Sequence, residues 1–526
     1  MFKSFQQTYP ENTVLKWIKK HYCMAFCKLL TSFMPDNIFV SLLILLSLSA
    51  CAQKPSSSKV AQQLVIPGDF PDPSVIRAGD TYWATCSSSE WGPVFALAKS
   101  SNLTDWKVVN YAFSSRPAWS VANYWAPELF YDGKKFFIYY TGRKAGGPLC
   151  ISIATADKME GPWEDHGPVV CQEAGSIDAS CVQDAQGQKY LIWKEDGNSV
   201  GKPTPIWGQR LTDSGTALKG EQFELFHNDE SWEGQLVEGP FIMKKGDYYY
   251  CFYAGAGCCG VGCNYAVGVA RAKTVDGKWE KYAKNPILAG NDVWKCPGHG
   301  TVVTDKAGKT FFMYHAYRSV YVGREALLSE IIWNGDGWPE IKQDSTQLLF
   351  KEKSVNDEFT DLASTWRWPV EYKPDYKTEN GFLVLSGDSS KTGAVLAQAT
   401  LSSNYEATTS IKVQPGVFSG LSAFGDVRNA IGISADNNKI IVWRVMNDIY
   451  TIVAEANISA TDTLQFKLVT HEGNHLEYFY STDGKDWKAL GGIQDGSFLP
   501  PWDRGVRVAL VSKGKGVSYF DWFRMK

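Results

Sequence analysis

The fold is decided by a repeat whose first copy is Ser74-Val75-Ile76-Arg77-Ala78-Gly79, followed after two residues by Tyr82-Trp83. The same order of an apolar stretch, a turn glycine, two residues and an aromatic side chain recurs four more times, at intervals of 54 to 62 residues. The five turn glycines are Gly79, Gly133, Gly187, Gly246 and Gly308. Because a tight hairpin turn needs a residue with positive φ, each copy predicts a β-hairpin.

A third and a fourth strand follow three of these hairpins. Ala98-Lys99-Ser100 leads to Trp106, and a similar pattern of small residues leads to Trp163 and Trp279. Four strands in each of five units predict a five-bladed β-propeller over residues 62–350. The alternative is a β-sandwich in which the periodicity arises by chance. Five glycine–aromatic matches in phase favour the propeller.

The sequence pattern changes after about residue 350, where the chain no longer contains cysteine. Alternating apolar residues predict strands at 382–385, 431–433, 440–443 and 464–468, and the chain closes with the aromatic stretch 519–523. This pattern indicates a β-sandwich (jelly-roll) domain over residues 354–526. The whole chain is therefore expected to be all-β.

The composition is that of a globular protein, with 44% hydrophobic and 21% charged residues in a chain of 526. A formal net charge of −3 argues against nucleic acid as a partner. Aromatic residues reach 14%, which favours strands and provides flat apolar faces that can stack on sugar rings.

The amino-terminal segment indicates export. An apolar run from Phe39 to Leu48 is too short to span a bilayer but suits a signal peptide, and Cys51 follows a small residue as in a bacterial lipobox. Residues 1–51 are therefore predicted to be a signal peptide with a lipidated Cys51, and residues 52–61 a linker. The alternatives are an ordinary secretory signal or a buried helix.

This export prediction leaves the start of the protein open. Basic residues lie far upstream of the apolar run, so translation could begin at Met24 or Met34. We expect an exported protein that is anchored to a bacterial membrane only through the lipid on Cys51, and that is otherwise periplasmic or secreted. The sequence does not define its oligomeric state.

Nine cysteines lie between Cys86 and Cys296, an odd number that leaves at least one thiol unpaired in a monomer. Three of them crowd into the run Cys258-Cys259-Gly260-Val261-Gly262-Cys263. No pair of C-x-x-C motifs at zinc spacing accompanies the run. It is therefore predicted to form a local disulfide or to contain buried thiols, in preference to a metal site.

Acidic residues lie at the beginning of the first strand in four of the five predicted blades: Asp72, Glu128, Asp178 and Glu238. The first strands of a propeller line its central axis, so these carboxyl groups are expected to meet there although they are distant in sequence. Carboxylates crowded in this way repel, and at least one pKa should rise. Two carboxyl groups with different pKa values are what acid–base hydrolysis of a glycosidic bond requires. The alternative is that they cap turns or bind a structural cation.

Several motifs resemble glycoside hydrolase family 43, the five-bladed propeller arabinofuranosidases and xylosidases. Pro67-Gly68-Asp69-Phe70-Pro71-Asp72-Pro73-Ser74 resembles the opening motif of the family, Ile177-Asp178-Ala179-Ser180 the motif of its third carboxylate, and Glu238-Gly239-Pro240 its general-acid motif. The resemblance implies that Asp72 is the general base, that Asp178 tunes and orients the acid, and that Glu238 is the general acid. It also implies inversion at the anomeric carbon.

The same resemblance implies further site residues. Trp125-Ala126-Pro127-Glu128 is similar to the second-blade motif, so Trp125 and Glu128 are expected to bind substrate. Gly323-Arg324-Glu325 resembles the segment whose arginine reaches the sugar. Gly298-His299-Gly300 resembles the fifth-blade motif, whose histidine lies near the axis and in some members beside a structural calcium ion or its bound water. No cofactor is required. The carboxy-terminal segment resembles the concanavalin-like sandwich of many family members.

We therefore expect an exo-acting, inverting pentosidase, an α-L-arabinofuranosidase or β-D-xylosidase that acts on plant cell-wall oligosaccharides or polysaccharides. One alternative is a catalytically inactive, surface glycan-binding lipoprotein. Another is an endo-arabinanase or a different propeller glycosidase. The sandwich is expected to pack on the propeller and complete the rim of the pocket, or else to bind sugar by itself.

Overall fold

The computed structural model describes residues 62–343, 354–459 and 461–526. The predicted signal peptide, Cys51 and the linker lie outside the described residues, as do residues 344–350 at the end of the predicted propeller domain. In the described part of the chain, no helix is long and apolar enough to cross a membrane.

The first described range consists of strands and two short 3₁₀ helices, Gly197–Val200 and Ser231–Glu233. Its strands are β1 (Gln62–Ile66), β2 (Ser74–Ala78), β3 (Thr81–Thr85), β4 (Trp91–Gly92), β5 (Val94–Ser100), β6 (Lys107–Phe113), β7 (Ser120–Tyr131), β8 (Phe136–Lys144), β9 (Leu149–Ala156), β10 (Glu164–Val170), β11 (Ser176–Gln183), β12 (Lys189–Glu195), β13 (Ile206–Leu211), β14 (Leu218–Phe226), β15 (Val237–Lys245), β16 (Tyr248–Gly255), β17 (Ala266–Ala272), β18 (Glu280–Lys281), β19 (Lys295–Thr304), β20 (Thr310–Tyr317), β21 (Arg324–Trp333) and β22 (Pro339–Ile341).

These strands form five antiparallel blades, as the repeat predicts. The strand orders are β2-β3-β5-β6, β7-β8-β9-β10, β11-β12-β13-β14, β15-β16-β17-β18 and β19-β20-β21-β1. In every blade the turn glycine between the first two strands has a φ between 57° and 89°. A side chain at that φ would be strained, so the repeated glycine is the local reason for each hairpin.

The ring is closed by the amino-terminal strand. β1 pairs antiparallel with β21, so that Gln62 lies opposite Ser329 and the last blade takes its outer strand from the beginning of the propeller. Hydroxyl groups link neighbouring first strands near the axis. Ser74 Oγ accepts from the Leu129 amide at 2.9 Å, and Thr301 Oγ1 accepts from the Val75 amide at 2.9 Å.

The second domain consists of strands β23 (Val355–Asp357), β24 (Trp368–Pro369), β25 (Tyr376–Glu379), β26 (Phe382–Ser386), β27 (Ala394–Ala399), β28 (Tyr405–Lys412), β29 (Val417–Asp426), β30 (Asn429–Asp436), β31 (Lys439–Met446), β32 (Ile449–Asn457), β33 (Thr463–His471), β34 (His475–Ser481), β35 (Lys488–Asp495), β36 (Arg507–Gly514) and β37 (Val517–Met525).

These strands make the predicted sandwich. An eight-stranded sheet of order β25-β26-β37-β28-β33-β34-β35, with β23 on β37, faces a six-stranded sheet of order β27-β36-β29-β30-β31-β32. The core between them is apolar, and Phe523 packs edge-on against the buried Trp366 at 5.0 Å. Every strand predicted from alternation lies inside an observed strand. The all-β fold, a five-bladed propeller followed by a β-sandwich, is confirmed.

The sandwich is joined to the first blade by hydrogen bonds. β24 pairs with β4, and the buried guanidinium of Arg367 donates to Ser88 Oγ, Trp91 O and Pro93 O at 2.8 Å each. The loop before β36 also contacts the propeller: the Val506 amide donates to the Tyr321 carbonyl at 2.8 Å, and Trp502 and Asp503 line the axial cavity.

Candidate active site

Every blade has a left-handed residue near the axis, within its first strand or, for Asp72, two residues before it. These residues are Asp72 (φ 50°), Ala126 (42°), Asp178 (58°), Gly239 (59°) and His299 (40°). In β7, β11, β15 and β19 the strand register also shifts at this point, which marks a β-bulge. A bulge bends the strand and redirects its side chains, and such strained positions are common beside active sites.

The bulges open into a cavity of about 260 Å³. Six of the seven site residues predicted from sequence line it: Asp72, Trp125, Asp178, Glu238, His299 and Arg324. The other lining residues are Arg143, Leu149, Ile177, Lys194, Asp196, Asn198, Leu236, Cys258, Cys259, Trp502 and Asp503. The ring of blades thus brings together three acids that are spread over more than 160 residues of sequence.

Asp72 is held as an ionised carboxylate. Its Oδ1 lies 2.8 Å from Arg324 Nη1, and its Oδ2 accepts from Ser87 Oγ at 2.5 Å. Burial raises the pKa of Asp72, but its charged and hydrogen-bonding neighbours, the Arg324 guanidinium first among them, outweigh burial and hold the pKa well below the usual 3.8. His315 accepts from the Asp72 amide through Nδ1 at 3.1 Å, and burial lowers the pKa of His315 to about 4. The histidine is therefore neutral and positions the backbone of the aspartate.

Asp178 and Glu238 form an interacting pair on neighbouring blades. The amide of Gly239 donates to Asp178 Oδ2 at 3.0 Å, while Glu238 accepts from Lys194 Nζ at 2.7 Å and from the Tyr265 hydroxyl at 2.8 Å. Burial, with the charge of Glu238, raises the pKa of Asp178 to about 7. Burial also acts on Glu238, but Lys194 and Tyr265 hold its pKa below the usual 4.5. The pair consequently retains one proton up to neutral pH.

His299 lies between Asp72 and Asp178. Its Nδ1 is 3.6 Å from Asp72 Oδ1 and 3.8 Å from Asp178 Oδ2. Gly239 makes room for this ring, because a Cβ at that position would lie 2.9 Å from the imidazole. Glycine is thus required after Glu238 both by the positive φ and by the close approach of His299.

The surroundings of His299 do not fit a calcium site built from protein ligands. Within residues 62–343, 354–459 and 461–526, no group of three or more His, Cys, Asp or Glu side chains is arranged to hold a metal ion. Calcium prefers six or more oxygen ligands. The carboxylates beside His299 are instead engaged by Arg324 and by the Gly239 amide. We therefore assign no chemical step to a metal.

This arrangement can carry out acid–base hydrolysis. Asp72 is ionised and can accept a proton from water, while the Asp178–Glu238 pair keeps a proton that it can donate. Two carboxyl groups with opposite protonation states, at a cavity that admits a small ring, match the demands of glycosidic bond cleavage.

Comparison with known proteins identifies the family. A family description named "Glycosyl hydrolases family 43" matches residues 61–339, which is more than half of the chain. The chain belongs to glycosyl hydrolase family 43. A second description, "Beta xylosidase C-terminal Concanavalin A-like domain", matches residues 356–526. This family 43 protein is therefore a glycoside hydrolase with a concanavalin-like sandwich.

Relatives of the family 43 protein share both domains. "Xylosidase/arabinosidase 43B" of Humicola insolens is 26% identical over 83% of this chain and 89% of its own length. "Xylan 1,3-beta-xylosidase" of a Vibrio species is 27% identical over 82% of this chain and 90% of its own length. The crystal structure of the family 43 protein BlXynB from Bacillus licheniformis superposes with a TM-score of 0.76 at 24% identity, covering 88% of this chain and 99% of that one. The last comparison supports the fold.

Glu128, which was predicted to bind substrate, does not line the same cavity as the other six predicted residues. Glu128 lines a separate cavity further along the axis, together with Ile76, Cys181 and Thr304. It lies two residues after the left-handed Ala126, in the position that Ser74, Ser180 and Thr301 occupy in other blades. Two residues advance a strand by about 6.6 Å on the same face, so this carboxyl group lies further along the axis than Asp72, Asp178 and Glu238. Its burial raises its pKa to about 8.

Several residues of the family 43 site were not found from sequence. Lys194 belongs to the second strand of its blade and Tyr265 immediately precedes a third strand, whereas the predicted acids all lie near the beginnings of first strands. His315 lies on β20, the second strand of its blade, and contacts Asp72. Trp502 and Asp503 come from the sandwich: Trp502 packs edge-on against Trp125 at 5.8 Å, and the Asp503 carbonyl accepts from Arg324 at 2.9 Å.

Proposed function

We propose that this family 43 glycoside hydrolase is an exo-acting, inverting pentosidase, an α-L-arabinofuranosidase or a β-D-xylosidase, that acts on plant cell-wall oligosaccharides or polysaccharides. The observation that carries the proposal is the small cavity in which an ionised Asp72 accompanies the proton-holding Asp178–Glu238 pair. The names of the two relatives, a xylosidase/arabinosidase and a xylan 1,3-β-xylosidase, support pentose as the sugar released.

In the proposed reaction Asp72 removes a proton from the attacking water. The ion pair with Arg324 keeps Asp72 ionised and directs one of its oxygens, so the base is ready over the working pH range. Glu238 donates a proton to the leaving oxygen, and Asp178 shares that proton and orients the acid through the Gly239 amide. Direct attack by water inverts the anomeric carbon.

The shape of the cavity favours action at chain ends. The propeller alone would leave the axial funnel open on one side, but Trp502 and Asp503 of the sandwich line the same cavity. A pocket closed in this way accepts one terminal sugar, whereas an internal chain needs an open groove. Release of a monosaccharide as the first product from a linear oligosaccharide would support this reading, and release of larger fragments would contradict it.

Export and lipid anchoring through Cys51 belong to the same proposal. Disulfides join Cys150 to Cys171, Cys258 to Cys259 and Cys263 to Cys296, while Cys86, Cys181 and Cys251 are buried free thiols. Three disulfides in one domain are typical of an oxidising compartment. Metabolic labelling with a fatty-acid analogue should modify the wild-type protein and leave Cys51→Ala unlabelled.

The central test is hydrolysis of nitrophenyl arabinofuranoside, xyloside and galactoside, with NMR of the released anomer. Activity on one of the two pentosides with an inverted product is expected. Asp72→Ala and Glu238→Ala should each reduce kcat by about 10²- to 10⁴-fold while the fold persists. Glu128→Gln is the matched control, because it alters a buried axial carboxyl group outside the cavity, and its kcat should stay within about threefold of wild type. Near-wild-type activity of either catalytic variant rejects the assignment. So does calorimetric binding of the pentosides without release of sugar.

A further inference from the structure

The loop between β16 and β17, residues 256–265, contains a disulfide between the adjacent cysteines Cys258 and Cys259. Both cysteines line the catalytic cavity and are partly exposed. The predicted acid–base chemistry makes no use of them. Their place in the cavity wall therefore needs a separate explanation.

A bridge between neighbouring residues contributes little to holding the chain together. A disulfide stabilises a fold mainly by closing a loop in the unfolded chain, and this one closes no loop beyond its own dipeptide. The loop is attached by other contacts. Cys263 is bonded to Cys296 in β19, three residues before His299, and the Asn264 side chain accepts from the Gly257 amide at 2.8 Å. The main effect of the Cys258–Cys259 bridge is therefore local: it sets the shape and polarity of the part of the cavity wall that the two cysteines form.

That surface lies on the general-acid side of the cavity. Ala254, four residues before Cys258, pairs with Glu238 across β15 and β16. On its other side the loop meets the sandwich, because a Cβ on Gly260 would be 3.4 Å from the Trp502 carbonyl oxygen. Trp502 in turn packs on Trp125. The disulfide and the two indoles are therefore neighbouring apolar parts of one wall.

The disulfide and Trp502 lie nearer the mouth of the cavity than the three acids do. Asp72, Asp178 and Glu238 are 7–8% exposed, whereas Trp502 is 60% exposed and the two cysteines are partly exposed. If the terminal sugar occupies the deep end beside the acids, the next unit of the chain occupies the mouth. The mouth of the cavity is the leaving-group side of the bond that is cut.

We propose that the Cys258–Cys259 disulfide is an apolar contact surface for the sugar unit on the leaving-group side, and so helps to determine which linkages the enzyme accepts. The inference rests on the proposed exo-pentosidase function. Two bonded sulfur atoms present a polarisable surface with only weak hydrogen-bonding capacity, suited to the C–H face of a sugar ring. Reduction by a dithiol adds two electrons and two protons and yields two separate thiols, so the dipeptide loses this fixed surface.

The test uses the double variant Cys258→Ser, Cys259→Ser with two readouts. The KM for a pentose disaccharide, which fills both sides of the cut bond, should rise about fivefold to tenfold while kcat stays within about threefold. Loss of binding that is equal in the ground and transition states has this signature. The inhibition constant of the free pentose, which fills only the deep end, should change less than about twofold. Cys150→Ser, Cys171→Ser is the matched control, because its sulfur atoms do not line the cavity, and its KM should stay within about twofold.

Reduction of the folded wild-type enzyme provides a second measurement that does not depend on folding of the variant. Dithiothreitol should raise the disaccharide KM of wild type but not that of the double variant. An unchanged disaccharide KM, or an equal rise of KM and of the pentose inhibition constant, overturns the inference and leaves the proposed function intact. Failure of the wild-type enzyme to release pentose from any substrate overturns the proposed function itself.

Discussion

Replacement of Asp178 by Asn tests whether the proton used in catalysis is shared between Asp178 and Glu238. In the wild-type enzyme the pair keeps its last proton up to a pKa of about 7, because burial disfavours the charged form of Asp178 and the Glu238 carboxylate repels a second negative charge. Asparagine has a similar size and can still accept from the Gly239 amide through its carbonyl oxygen. It removes the negative charge that raises the proton affinity of the pair.

The direction and size of the effect follow from the groups left around Glu238. Lys194 at 2.7 Å and the Tyr265 hydroxyl at 2.8 Å both stabilise the carboxylate, so the pKa of Glu238 in the variant should lie below the usual 4.5. An acid of pKa 7 is half protonated at pH 7, whereas one of pKa 4.5 is protonated to about 0.3%. The protonated fraction at pH 7 should therefore fall by roughly 150-fold or more.

The assay is the pH profile of kcat/KM on an aryl pentoside. Activity is present below the pKa of the acid and is lost as the pH rises through it, so the alkaline limb should move from about pH 7 to below pH 4.5 in Asp178→Asn. A dinitrophenyl pentoside is the control substrate, since its leaving group needs little protonation and should lose much less activity. An alkaline limb that stays near pH 7 in the variant would refute the shared-proton reasoning.

Three further perturbations test other contacts. Arg324→Gln removes the cation beside Asp72, so the pKa of Asp72 should rise and the acid limb of the kcat/KM profile should move to higher pH. Activity should fall at least about 100-fold. An unmoved acid limb would show that Arg324 does not set this pKa. Tyr265→Phe removes a donor to the Glu238 carboxylate, so the alkaline limb should move to higher pH, the opposite direction from Asp178→Asn, and a shift to lower pH would contradict the assigned hydrogen bond. Trp366→Ala should lower the free energy of unfolding, measured by urea denaturation, by about 3–5 kcal/mol. The substitution empties a buried site in the sandwich core and removes the indole that donates to Asp357. A loss below about 1 kcal/mol would contradict this account of the core.

The fold was predictable because the repeat encodes both the turn and the strands beside it. Gly79 and its four equivalents need positive φ, and the aromatic residue three positions later begins or joins a buried second strand. These local requirements recur with a period, so they indicate the number of blades without any knowledge of contacts. The pairing of β1 with β21 was not predictable in this way, since no part of the repeat marks Gln62–Ile66 as the outer strand of the last blade.

The grouping of Asp72, Asp178 and Glu238 at one cavity was predictable to the extent that ring closure places equivalent residues together. Asp72 and Asp178 are the left-handed residues of their blades, and Glu238 directly precedes the left-handed Gly239. Glu128 was assigned to the same level because it also lies near the beginning of a predicted first strand. The left-handed residue of that blade is Ala126, however, and the sequence does not show where a bulge falls in a strand of twelve residues.

The residues that decide how the acids ionise come from outside the first strands. Lys194 reaches Glu238 from a second strand, Tyr265 reaches it from the turn before a third strand, and the Asp503 carbonyl holds Arg324 from the other domain. Each is an ordinary residue in its own local sequence, so periodicity cannot mark it. The carboxyl groups alone would all rise in pKa on burial, and these surrounding cations and donors separate them into a base that is ionised at neutral pH and a pair that keeps a proton. The division of roles between Asp72 and Glu238 is therefore a property of the assembled propeller and sandwich, and that is why the pH profile tests it more sharply than loss of activity does.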